Sequence, residues 1–138
     1  MDRKLELLSK VPLFSRLDEA GLRQVAMLTD EVDVDAGREL TTEGQFAHEF
    51  FLILDGTVSI DRGGAHLSTL GPGDFFGEIA LVDRGPRSAT ATSDGPARLL
   101  VLGHREFNGL MDQFPLVRTA VLEALAHRVR RLEPDATG

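Results

Sequence analysis

The chain has no cysteine, no tryptophan and no tyrosine, and it has no long uninterrupted apolar run. Without cysteine there is no disulfide framework, no thiolate nucleophile and no cysteine-based zinc site. That composition is compatible with the cytoplasm, which is the expected location. No stretch approaches the ~18 consecutive apolar residues of a membrane-spanning helix. The opening MDRKLELLSK carries charges where a signal peptide needs an apolar centre. With tryptophan and tyrosine missing, eight phenylalanines are the only aromatic side chains.

Positive charge is also scarce. There are 22 acidic against 15 basic side chains, a formal net charge of −7. A nucleic-acid-binding face needs clustered cations, and the one cluster, His127-Arg128-Val129-Arg130-Arg131, is short. Nucleic acid is therefore not expected as a partner. The histidines His48, His66, His104 and His127 lack metal-ligand spacing, so neither a metal nor a metal-dependent enzyme of cupin type is expected. No nucleophile, base and orienting acid can be argued from spacing, and the chain is not expected to be an enzyme.

What is present fits one domain with one core: 138 residues, without repeats, low-complexity tracts or long linkers. Residues 1–30 read as helical. Leu5 and Leu8, then Leu17, Leu22, Val25 and Leu28, are the apolar positions, Pro12 separates two segments, and Asp18 suits the N-cap of Glu19 to Leu28. Residues 31–103 read as short strands punctuated by glycine. They run through Val32 and Val34, Glu39 to Thr41, Phe50 to Leu54, Val58 to Ile60, His66 to Leu70, Ser88 to Ser93 and Arg98 to Leu102. Residues 104–133 return to helix, as His104 to Gln113 and then Leu116 to Leu132. In the second of these, Val121, Leu125, Arg128 and Leu132 share one face. Phe75, Phe76, Phe107 and Phe114 read as core and helix-docking residues.

Within residues 73–90 the residue types converge on one chemistry. The run Gly73-Asp74-Phe75-Phe76-Gly77-Glu78-Ile79-Ala80-Leu81 precedes Pro86-Arg87-Ser88-Ala89-Thr90. Unpaired N–H groups at a helix start attract an anion. Gly77 permits close backbone approach, and Arg87 offers a planar fork to two oxygens at once. Glu78 would repel an anion, so its natural partner is a hydroxyl donor. Together these features describe a receptor for a sugar phosphate.

The run FGEIAL followed by RSAT resembles the phosphate-binding cassette of cyclic-nucleotide-binding domains. The likeness extends to Val11-Pro12-Leu13-Phe14-Ser15, Glu43-Gly44, Phe51 to Gly56 and Leu70-Gly71-Pro72-Gly73-Asp74. It covers roughly the whole chain. The family includes kinase regulatory subunits, the bacterial catabolite activator and nucleotide-gated channels. The resemblance implies an α+β fold, an antiparallel jelly-roll-like β-roll of about eight strands with N-terminal helices and two C-terminal helices. It implies a regulatory sensor for a cyclic purine nucleotide. Arg87 would then bind the phosphate, with Ser88 and Ala89 completing its shell. Gly77 and the N–H groups of Ile79 and Ala80 would line the phosphate, and Glu78 would accept the ribose 2′-OH. Ser88 leans towards cyclic AMP, with cyclic GMP as the alternative.

Some channel members cap the base with an arginine, which places Arg128 over the purine, or Leu125 and Leu132 should Arg128 point away. The output lies outside these residues. The chain is expected to be either a stand-alone sensor acting through an effector protein or a piece of something longer. The rival reading is a ligand-free interaction module with the same fold.

Overall fold

The computed structural model describes residues 2–11, 14–46, 49–77 and 86–132. The side chains of residues 121, 124, 125 and 127–132 are not among those described. Two helices, α1 (Arg3–Ser9) and α2 (Glu19–Leu28), lead into strands β1 (Asp30–Val34), β2 (Glu39–Thr41), β3 (Glu49–Asp55), β4 (Val58–Arg62), β5 (Ala65–Leu70), β6 (Phe75–Phe76), β7 (Thr90–Ser93) and β8 (Ala97–Gly103). Helices α3 (His104–Gln113) and α4 (Pro115–Leu132) follow. The strands form two four-stranded antiparallel sheets, ordered β1-β8-β3-β6 and β2-β7-β4-β5. The architecture is the α+β β-roll that the sequence implies. Among the described residues no helix is long and apolar enough to cross a membrane.

Strand β3 explains the layering. Its Phe50-Phe51-Leu52-Ile53-Leu54 run is buried throughout, with no polar alternation, because both faces of the strand are covered. Phe50, Leu52 and Leu54 join Leu100 and Leu102 of β8 against Leu5, Leu8, Val11, Phe14, Leu22 and Val25 on the helical side. Phe51 and Ile53 point the other way, meeting Val58, Ala91 and Leu99 between the sheets. The period of two along a strand thus splits one sequence run between two cores.

Helices α1 and α2 begin where their caps dictate. The Asp2 carboxylate accepts the Lys4 N–H at 3.0 Å, and the Asp18 carboxylate accepts the Gly21 N–H at 2.8 Å. Two boundaries differ from the sequence reading. Helix α4 starts at Pro115, since proline suits the first helical position where no N–H is needed. The strand expected from Ser88 starts only at Thr90, because the main chain of residues 87–89 bonds to the 44–45 loop and to two side chains instead of a ladder.

Phe75 and Phe76 form a short strand against β3. Phe75 lies 5.8 Å from Phe50, and Phe76 stacks on Phe51 at 4.8 Å. Val32 is exposed while Val34 is buried, so β1 contributes one end only to the core.

Burial separates two phenylalanines close in sequence: Phe50 is 1% exposed and Phe46 is 71% exposed. Phe50→Ala is expected to cost about 3–5 kcal/mol in urea unfolding, and Phe46→Ala no more than about 0.5 kcal/mol. Equal losses would refute this assignment of the core.

Candidate functional site

Strand β6 is followed by Gly77, which turns with φ of 87°. The pairing Phe51↔Phe76 brings this glycine to the start of β3. A Cβ at Gly77 would lie 2.6 Å from the Glu49 carbonyl oxygen and 2.9 Å from Arg87 Nη1. Glycine is therefore required twice here, by the backbone conformation and by space.

Arg87 occupies the space that the missing side chain leaves. It is 7% exposed, and its Nη2 donates to the Glu49 carbonyl at 2.8 Å. Its own main chain is held on both sides. The Arg87 N–H donates to Gln45 O at 2.8 Å, and Arg87 O accepts the Gly44 N–H at 2.9 Å. Among the described residues, its buried Nε has no hydrogen-bond partner. Burial pushes the guanidinium pKa down, and the nearby Glu49 carboxylate pulls it back up. An arginine remains a cation under these conditions. A buried cation with an unused donor is a costly arrangement unless an anion completes it.

The cavity in front of Arg87 has a volume of about 510 Å³, within the range of small-molecule sites. Gly77, Arg87, Ser88 and Ala89 all line it, so four of the sequence-expected residues come together. Glu78, Ile79 and Ala80 lie outside the described residues. Arg128 lies in α4, with its side chain outside them as well.

Ser88 and Ala89 are fixed through their carbonyls. Ser88 O accepts from Arg62 Nε at 2.9 Å, and Ala89 O accepts from Thr41 Oγ1 at 3.2 Å. Thr41 Oγ1 also accepts the Ala91 N–H at 3.1 Å, where the β2–β7 register shifts.

The opposite wall comes from β4 and β5. Ile60, Leu67 and Leu70 make it apolar, and Arg62 and Ser68 add polar groups. Sequence reasoning missed this wall. Its residues belong to a hairpin whose bulged register, Ile60↔Ser68 and then Asp61↔His66, decides which side chains face inward. The arrangement can hold a compact anion at Arg87 and an apolar ring system against β4 and β5.

Residues 31–114 match the cyclic nucleotide-binding domain family. The chain is 30% identical over 126 residues to the mouse potassium/sodium hyperpolarization-activated cyclic nucleotide-gated channel 3, covering 91% of this chain and 16% of the channel. It superposes on the N-terminal domain of a transcriptional regulator from Streptomyces coelicolor A3(2) with a TM-score of 0.81 at 31% identity, covering 94% of this chain and 96% of that one. It also superposes on the regulatory domain of Toxoplasma gondii PKA, solved with cAMP, with a TM-score of 0.73 at 31% identity, covering 78% and 43%. The chain spans from 16% to 58% of the length of the curated relatives it matches.

A methyl group at position 77 meets main-chain oxygen, which cannot swing aside. Gly77→Ala is expected to cost about 2–4 kcal/mol of unfolding free energy, strain and overlap together. Gly71→Ala, where a Cβ meets nothing within 4 Å, should cost less than about 1 kcal/mol. Denaturant titration of the two variants checks the difference.

Proposed function

The chain belongs to the cyclic nucleotide-binding domain family, and from that premise we propose that it is a sensor for a cyclic purine nucleotide, with cyclic AMP preferred. The observation that carries the reading is the Arg87 guanidinium, buried beside the cavity with an Nε donor that has no partner among the described residues. A singly charged cyclic phosphate supplies the missing partner as a charge-assisted hydrogen-bond acceptor. Gly77 leaves room for the phosphate to approach the main chain. In this reading the Ile79 and Ala80 N–H groups and the Ser88–Ala89 segment complete the phosphate shell, while the Glu78 carboxylate accepts the ribose 2′-OH.

The purine then lies along Ile60, Leu67 and Leu70, with Arg128 of α4 as its cap through stacking of a guanidinium on a ring face. Residues 1–138 act as one such unit. The preference for cyclic AMP rests on serine at position 88, and the solved Toxoplasma gondii relative with cAMP supports that choice of ligand. Signalling follows if α4 takes up two arrangements that bind the nucleotide unequally, since a ligand shifts an equilibrium only by its differential affinity. A coupling of about 1–3 kcal/mol is typical of such switches.

Calorimetric titration with cyclic AMP, cyclic GMP and 2′-deoxy cyclic AMP tests the assignment. Arg87→Ala is expected to weaken cyclic AMP binding by more than about tenfold, in keeping with the 2–5 kcal/mol usual for breaking a buried charge pair. The 2′-deoxy analogue should bind far more weakly than its parent. Unchanged affinity in Arg87→Ala, or no binding by the parent protein, removes the sensor reading.

A further inference from the structure

The segment that carries Arg87 and Ser88 is anchored from outside by a side chain at the end of β4 and by the main chain of residues 43–45. Arg62, the last residue of β4, donates from Nε to Ser88 O at 2.9 Å. One residue on, the Gly63 N–H donates to Glu43 Oε1 at 2.8 Å. Glu43 then closes the ring, its own N–H donating to Thr90 Oγ1 at 2.9 Å. Three pieces of chain, residues 43–45, 62–63 and 87–90, therefore hold one another with side-chain and main-chain bonds in place of a strand ladder. Gly44 and Gln45 add two bonds to the Arg87 main chain, at 2.9 and 2.8 Å.

Arg62 stands apart from five arginines that are neutralised at the surface. Arg3, Arg16, Arg23, Arg98 and Arg118 each pair with a carboxylate. Among the described residues Arg62 makes no ion pair, and it lines the same cavity as Arg87.

We propose that Arg62 and Glu43 form a bracket that positions the Arg87–Ala89 segment for the ligand, making both positioning residues for nucleotide binding. Glu43, Arg62 and Ser88 are exposed, so the bracket lies outside the cores and its loss leaves the fold standing. Its effect is pre-organisation. Without it, residues 87–90 must be ordered when the ligand arrives, and that ordering subtracts from affinity. The ligand-binding part of this inference rests on the sensor reading above, but the ordering of the ligand-free segment does not.

The test uses Arg62→Ala, Arg62→Lys, Glu43→Ala and the double variant Arg62→Ala/Glu43→Ala in the full chain. In the ligand-free protein, amide exchange of residues 87–90 is expected to accelerate about tenfold, with the melting temperature within about 2 °C of the parent. Cyclic AMP is expected to bind about tenfold more weakly to Arg62→Ala, with a faster off-rate, and the double variant is expected to lose less than the sum of the two single losses. Arg62→Lys keeps the charge without the Nε–H and should behave like Arg62→Ala. Parental affinity in Arg62→Lys would show that charge alone suffices and overturns the bracket. Unchanged exchange at residues 87–90 overturns it as well, as does an affinity loss that simply follows a drop in melting temperature. If the parent protein binds no cyclic nucleotide, the sensor reading fails and the exchange measurement alone decides the bracket.

Discussion

The hydrogen bond from Arg87 to the Glu49 carbonyl is the contact on which the site's geometry depends. It runs from a buried guanidinium to the first residue of β3, the strand that both cores share. Rigid elements place functional groups more accurately than loops do, and here a loop residue borrows that accuracy from a strand. Gly77 makes the contact possible by leaving its Cβ space empty beside both partners. The short strand β6, pinned by Phe75 on Phe50 and Phe76 on Phe51, brings Gly77 to that place. Core packing, strand register, one glycine and one arginine therefore form a single causal chain.

This arrangement places a cationic pocket on an acidic protein. A net charge of −7 would repel an anion at long range, but screening limits exposed charges to about 8 Å at physiological ionic strength. Inside that distance the balance is local. Arg87 is shielded from water, where its field is strongest, and Arg62 stands at the same cavity. The opposing influence is the Glu49 carboxylate, which favours the charged form of Arg87 and weakens the attraction available to a ligand. The site's main-chain contact with Glu49 and its side-chain electrostatics thus act in different directions from one residue.

Much of the fold was legible because local chemistry and burial agree. Asp18 caps α2 as its position before an apolar-periodic segment predicts, and the glycine-punctuated strands appear where the pattern places them. The run Phe50 to Leu54 was legible as a strand, but its division between two cores depends on what covers each face. Ser88 and Ala89 look like strand residues, yet tertiary hydrogen bonds to Arg62 and Thr41 override that preference.

The candidate cavity was legible at Arg87 and Ser88, which both line it, and where a glycine marks a close approach, as at Gly77. It was illegible where the main chain acts. Glu49 enters through its carbonyl, a group every residue has, so nothing in its identity points to the role. Arg62 and the wall of Ile60, Leu67 and Leu70 depend on a bulge in the β4–β5 pairing, and no residue type announces that register.

The packing of α4 constrains how the proposed coupling could operate. Val117 is 1% exposed and Ala120 is 6% exposed. Val117 belongs to the helical-side core, together with residues of α1, β3 and α3. Arg16, ahead of α2, reaches Glu123 at 3.0 Å, an exposed pair that adds little to holding the helix. Lifting the first two turns of α4 would remove Val117 from a core in which burying such a side chain contributes about 1.5–3 kcal/mol. That loss is comparable to the whole coupling energy usual for an allosteric switch. A ligand-driven movement is therefore cheapest when it pivots beyond Ala120 and leaves the Pro115 end of the helix seated. Leu122 and Ala126, both exposed, lie beyond that pivot, and so does the helical stretch carrying Arg128.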